Sequence, residues 1–178
     1  VIVTGGAGFI GSNLVKRLID DGVDEVLVID DFSTGKEENL NDSSKINLYK
    51  SKLEDINDLD SLFEGYDFCF HLAAQSRVQP SFKNPEESLR VNVLGTSKLL
   101  EWSRINNTKI IYAGSSSRHH SPSDSPYAMT KYLGEEICKL YRKSFKVNVQ
   151  IARFYNVYGP GENIDKIYGN VIGIWRAM

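Results

Sequence analysis

Short apolar runs alternate along the chain with longer stretches in which apolar residues recur every three or four positions. The runs are Val1–Thr4, Glu25–Asp30, Ile46–Tyr49, Tyr66–Ala74, Ile110–Ala113 and Val147–Ala152. Their shortness and their Val and Ile content suit strands buried on both faces of a parallel sheet. Phe9, Ile10, Leu14, Val15, Leu18 and Ile19 make a single stripe, which predicts a helix after the first strand. Leu59, Leu62 and Phe63 continue a short helix after Asp55-Ile56-Asn57-Asp58. Pro85 suits the first position of a helix that Leu89, Val93, Leu99, Leu100 and Trp102 carry towards Asn106. Ser125-Pro126 opens a longer helix, Tyr127 to about Phe145, with Leu133, Ile137, Leu140 and Tyr141 as its stripe. Strands alternate with helices throughout. The pattern predicts an α/β domain built on a doubly wound parallel sheet, with helices on both faces.

The stretches between these elements are polar. Asp31 to Leu40 holds Gly35 and reads as a loop, as does Gln75 to Asn84. Gly114 to Ser125 is rich in Ser, His and Pro and offers nothing to a core, so it reads as a loop of a functional site. Beyond Pro160 one short apolar segment remains, Val171 to Trp175.

Composition narrows the classes. At 178 residues, with 41% hydrophobic and 25% charged residues, the chain suits one well-buried soluble domain. A net charge of −2 provides no basic footprint for nucleic acid. No apolar run approaches the roughly 20 residues that span a bilayer, and no signal peptide is visible, so no membrane partner is expected. Cys69 and Cys138 both lie in apolar patterns and read as buried thiols of a reducing compartment, with the cytoplasm as the expected location. Because the sequence opens directly in a strand without a methionine, its first residue or two are expected to be missing.

The chemistry begins at Gly5-Gly6-Ala7-Gly8-Phe9-Ile10-Gly11, where a strand enters a tight turn and leaves as a helix. Bare backbone at Gly5, Gly8 and Gly11 lets amides approach a diphosphate, and the helix N-terminus favours its charge. Alone, such a cluster also fits a flexible turn, and its context decides. Asp30 ends the second strand about 20 residues later, where a dinucleotide fold places the carboxylate that accepts from the adenosine ribose hydroxyls. A plain strand-ending turn is the other reading of Asp30. With the glycines it favours NAD over NADP, since a 2′-phosphate would meet like charge.

Tyr127 and Lys131 are four apart on one predicted helix and share a face. A free phenol has a pKa near 10, too high for a base at neutral pH. A neighbouring ammonium, helped by a positive nicotinamide ring, stabilises the phenolate, so that Tyr127 can take a proton from a substrate alcohol. By itself the spacing also fits a surface pair on any helix. A nucleotide-binding first strand and a serine-rich loop ahead of it favour the chemical reading.

Taken together, Thr4 to Gly11, Asp30, Asp55-Ile56, His71-Leu72-Ala73-Ala74, Asn92, Ser115-Ser116-Ser117, Tyr127 with Lys131, and Arg153 to Pro160 resemble the extended short-chain dehydrogenase/reductases. These are the NAD-dependent nucleotide-sugar epimerases and dehydratases, and the resemblance runs over essentially the whole chain. It implies a Rossmann-like fold. It also implies that Phe9 and Ile10 present amides to the pyrophosphate, that Asp30 holds the ribose, and that Asp55 and Ile56 address the adenine. Leu72, Ala73, Ala74 and Gln75 would line the middle of the cofactor. Ser117 matches the catalytic Ser/Thr that hydrogen-bonds the reacting sugar oxygen. Tyr127 would be the acid/base, and Lys131 would also hold the nicotinamide ribose. Asn156 matches a contact to the substrate diphosphate. Asn92 is equally a structural residue or a support of the site.

The dehydratase branch follows its catalytic Thr with an Asp-Glu pair, whereas Ser117 is followed by Arg118 and His119. The resemblance therefore points to a 4-epimerase acting on UDP-hexoses or their relatives. Here C4 is oxidised to a ketone and hydride returns to the opposite face. The alternatives are a dehydratase or reductase of the same family, and a non-catalytic NAD-binding module. The loop from Arg118 to Pro122 is shorter than the family pattern, and His119 and His120 fit either sugar contacts or solvated loop positions. No metal site is expected there. Residues 1–155 are expected to form the NAD-binding domain. Residues 156–178, including the segment Asn170 to Trp175, are expected to begin a substrate-binding part that family members continue well beyond this point. On that basis the chain reads as a fragment or truncated product. It would keep the NAD site and turn over nucleotide-sugar poorly. A homodimer is expected through the helices at about Glu86 to Asn106 and Tyr127 to Phe145.

Overall fold

In a computed structural model, residues 1–40, 44–164 and 171–176 are described. Six strands form one parallel sheet in the order β3-β2-β1-β4-β5-β6. They are β1 (Ile2–Thr4), β2 (Val26–Asp30), β3 (Ile46–Lys50), β4 (Phe68–His71), β5 (Lys109–Ser115) and β6 (Val149–Phe154). The strand order runs one way from β1 and then reverses at β4. The crevice at the carboxyl ends of β1 and β4 is thus the topological switch point where such sheets bind ligands.

Successive residues of β1 serve opposite faces. Val3 packs with Val15, Val26 and Val28 beneath α1 (Phe9–Asp20). Ile2 joins the larger core on the other face, with Leu27, Ile29, Cys69, Ile110, Tyr112 and Val149. That face is covered by α5 (Thr96–Asn106) and α6 (Pro126–Phe145), through Leu99, Leu100, Trp102 and Cys138. Every residue of β2 is buried, whereas the edge strand β3 leaves Leu48 and Tyr49 exposed. Cys69 and Cys138 are buried free thiols.

Three local features differ from the sequence expectation. Gln75–Asn84 is not all loop, because Val78–Lys83 forms a helix, α3, before α4 (Pro85–Leu89). Its first turn carries no apolar stripe, so periodicity is silent there. The helix expected from Pro85 to Asn106 is interrupted by a π-helical turn at Arg90–Gly95. The extra residue in that turn is the kind of bulge found next to functional sites. Finally, β5 runs on through Gly114 to Ser115, two residues past its last apolar position. The remaining helices are the short α2 (Leu59–Leu62) and α7 (Val171–Arg176). Asn170 lies outside the described residues.

Candidate active site

A cavity of about 630 Å³ opens along the carboxyl ends of the strands. Gly5, Gly8, Phe9, Ile10 and Gly11 form one wall. The turn is as tight as the glycines allow: Gly5 has φ +71°, and a Cβ on Gly11 would lie 2.1 Å from the Gly5 carbonyl oxygen. Asp30 lines the cavity beside this turn. Its carboxylate accepts from the Ala7 and Phe32 amides, each at 2.9 Å, so it clamps the glycine turn as well as facing the cavity. Burial raises its pKa, and these amide hydrogen bonds oppose the rise.

Leu72, Ala73, Ala74 and Gln75 line the middle. A buried chain of hydrogen bonds fixes where they start. The Thr96 hydroxyl donates to the Asn92 carbonyl at 2.8 Å, so it accepts from His71 Nε2 at 3.0 Å. His71 Nδ1 is then the acceptor, taking the Thr4 hydroxyl proton at 2.7 Å, and Thr4 Oγ1 accepts from the Ala73 amide at 3.2 Å. Burial pushes the His71 pKa down to about 3, which keeps the ring neutral and the chain intact. The π turn supplies the next anchor. Asn92, 2% exposed, accepts from the Gln75 amide at 2.8 Å and donates to the Gln75 carbonyl at 3.1 Å. Its second N–H goes to Thr130 Oγ1 at 2.9 Å, one turn from Tyr127 on α6.

At the reactive end, Ser125 caps α6 by accepting from the Ala128 amide at 3.0 Å. Ser81 of α3 takes the otherwise unpaired amide of Tyr127 at 3.0 Å. Lys131, a turn further on, is buried beside Tyr112, and its ammonium donates to the Ala113 carbonyl at 2.6 Å. Burial lowers its pKa to about 8. For Tyr127, burial raises the pKa, opposed by the Ser115 hydroxyl and the Arg77 guanidinium. The lowering expected from Lys131 is therefore not made by the chain alone.

The serine that meets the Tyr127 hydroxyl is Ser115. Tyr127 Oη donates to Ser115 Oγ at 3.2 Å, while the Ser117 hydroxyl and amide donate to Ser115 Oγ at 3.0 Å and 3.1 Å. Ser117 still lines the cavity. The extension of β5 explains the placement, since Ser115 ends the strand facing Tyr127 and Ser117 already lies in the 3₁₀ turn Ser116–His119.

A profile of the NAD dependent epimerase/dehydratase family matches residues 1–177. The chain belongs to this family. It is 37% identical to a putative UDP-glucose 4-epimerase of Methanocaldococcus jannaschii, over 92% of its own length and 57% of that protein. Among solved structures, it matches the UDP-N-acetylglucosamine 4-epimerase of Methanobrevibacter ruminantium M1 in complex with UDP-N-acetylmuramic acid, with a TM-score of 0.89 and 34% identity, over 97% of this chain and 59% of that one. The Bordetella bronchiseptica enzyme WbmF in complex with NAD+ matches with a TM-score of 0.82 and 34% identity, over 98% of this chain and 56% of that one. The chain thus spans somewhat more than half the length of these relatives.

The cofactor of this epimerase/dehydratase chain is NAD. The cavity fits it: the amide-lined glycine turn would take the pyrophosphate and Asp30 the ribose. Beyond Asp30, however, the cavity wall is Ser51, Lys52, Leu53 and Glu54. Asp55 faces outward in an ion pair with Arg90 at 3.2 Å, and Ile56 is buried in the core. Both lie beyond the cavity, because β3 ends at Lys50 and the 3₁₀ turn Leu53–Asp55 follows at once. Arg77, which no sequence motif marks, lines the cavity with Ser115, a motif position to which the resemblance attaches no role of its own. Asn156 and His120 reach the cavity, whereas His119 stacks on Tyr155 and bonds its hydroxyl at 2.9 Å. Among the described residues, no cluster of three His, Cys, Asp or Glu side chains could hold a metal ion.

Proposed function

We propose that the protein is an NAD-dependent nucleotide-sugar 4-epimerase of the UDP-hexose type. The observation that carries this reading is the Ser115–Tyr127 hydrogen bond, which lines the same cavity as buried Lys131, the glycine turn and Asp30. Bound NAD supplies a reversible hydride acceptor and a positive ring in that cavity. The chain's residues do the rest. Ser115 Oγ accepts from the Ser117 amide and lies within hydrogen-bond reach of the Ser117 and Tyr127 hydroxyls, and its own proton is left for the sugar O4. Tyr127, drawn towards phenolate by the added positive charge, takes the O4 proton as C4 becomes a ketone and returns it in the reverse step. Lys131 holds the ribose and its own positive charge near that oxygen. Asn156 addresses the substrate diphosphate.

The serine turn Ser116-Ser117-Arg118-His119 contains no carboxylate to act as a further acid or base for removing water. That supports epimerisation over dehydration. Residues 1–155 serve as the NAD-binding body, and 156–178 begin the part that closes on the sugar. Leu89, Leu94, Leu140 and Phe145 are about half exposed on the π-interrupted helix and α6, which supports a homodimer through these helices. Sedimentation at micromolar concentration should return twice the monomer mass, and a monomer mass would refute it.

Denaturing the purified protein should release NAD. UDP-galactose, UDP-N-acetylgalactosamine and dTDP- or GDP-sugars then separate the readings: formation of the C4 epimer without net NADH supports epimerisation, and loss of water supports a dehydratase. Release of no nucleotide together with no turnover of any sugar would overturn the proposal.

A further inference from the structure

The turn that carries Ser117 has little to hold it in place. None of Ser116–His119 is buried, and no apolar side chain in it reaches the core. Its position must come from polar ties. One is the Ser115 cap on the Ser117 amide, and another is the His119–Tyr155 pair at the surface. The third is Arg118, which reaches across to α6, the helix of Tyr127 and Lys131.

Arg118 is held there on three sides. Its Nη2 donates to Glu136 Oε1 at 3.0 Å, its Nε lies 3.8 Å from Glu135 Oε2, and its guanidinium lies over the Tyr132 ring at 4.4 Å. Glu135 is itself fixed. It is 1% exposed and receives a forked pair of hydrogen bonds from Arg153, with Nη2 at 2.9 Å and Nε at 3.0 Å. It can sit against the sheet because Gly114 has no Cβ, which would lie 2.7 Å from Glu135 Oε1. A buried carboxylate this well paired is a rigid anchor point. The three groups thus join the serine turn, the catalytic helix and the strand leading to Asn156.

We propose that Arg118 is a positioning residue which, by tying the turn after β5 to Glu135 and Glu136 of α6, holds the Ser115–Ser117 hydroxyl pair against Tyr127. It rests on the proposed function only in giving Tyr127 a proton to move. Removing Arg118 leaves Glu135 its hydrogen bonds from Arg153 and Glu136 its bond from Lys139, so neither carboxylate is stranded. What is lost is the tie that holds the turn whose Ser117 amide and hydroxyl set the direction of the Ser115 hydroxyl towards the phenol.

The test reads Tyr127 directly. Tyr127 is faced by Arg77 at the start of α3, by Tyr112 and Ser115 of β5, and by Lys131 of its own helix. Its ionisation is followed by the ultraviolet absorbance of the phenolate in the NAD-bound protein, as the difference from Tyr127→Phe. In Arg118→Met, which keeps an aliphatic stem over Tyr132, the titration should move up by about half a pH unit or more, the worth of one net hydrogen bond. NAD affinity should stay within about twofold. In a Ser115→Ala background the same substitution should produce no further shift, because Arg118 acts through Ser115. An equal shift with and without Ser115 would show Arg118 to be only a nearby charge, and no shift at all would show that it holds nothing; either overturns the proposal. A second readout is turnover. Arg118→Met should lower kcat about fivefold with KM unchanged, and the double variant should be no slower than Ser115→Ala alone. The titration needs no turnover, so a failed epimerase assay leaves it decisive.

Discussion

At the residue scale, Ser115 and Ser117 separate two accounts of the site. Ser115 Oγ is 3.2 Å from Tyr127 Oη, whereas the Ser117 hydroxyl donates to Ser115 Oγ. Ser115→Ala should therefore cost about a hundredfold in kcat, as expected for losing a group that holds the reacting oxygen in the transition state. Ser117→Ala should cost less than about tenfold, since the fixed amide bond to Ser115 remains. Equal losses, or a larger loss in Ser117→Ala, would return the role to Ser117. Tyr127 and Lys131 were legible from their spacing, because a helical interval of four needs no knowledge of the sheet. The choice among three successive serines was not. It depends on where β5 ends, and Gly114 and Ser115 carry no apolar signal that a strand continues through them.

At the level of elements, the wall of the cavity is set by β4 and by the turn that anchors it. Thr4, His71, Thr96 and Asn92 form one hydrogen-bonded chain from β1 through β4 to the π turn. His71 must stay neutral in it. With a folded pKa of about 3 against an ordinary 6.5, the unfolded chain binds the extra proton between these values. Stability from this group is therefore complete above pH 6.5 and falls as pH drops towards 3. Between pH 6.5 and 4 the loss amounts to about 3 kcal/mol. His71→Asn should be less stable at neutral pH and should lose less stability on acidification, as read from urea midpoints at pH 7 and pH 4. Parallel losses in the two proteins would contradict the assignment. Most strands could be read in the sequence because buried parallel strands are continuous apolar runs. The helix α3 and the π turn could not. One has no stripe, and the other keeps helical periodicity on either side of its extra residue.

At the level of the whole molecule, the parallel strands bring the cavity-lining segments together at the carboxyl ends of the sheet. Charged side chains line the cavity along its length, among them Asp30, Asp31, Lys52 and Glu54, and Arg77 and Lys131 with Tyr127. The glycine turn and Asp30 were legible because their spacing follows from strand, turn and helix geometry. The cavity wall at Ser51 to Glu54 was not, since nothing in the types of Lys52 and Leu53 marks them. Epimerisation requires that the hydrogen leaving C4 come back to C4. UDP-galactose carrying deuterium at C4, turned over in ordinary water and read by mass spectrometry, tests this most directly. The predicted product is the C4 epimer with its deuterium retained. A product that has exchanged that deuterium for solvent hydrogen would contradict the mechanism.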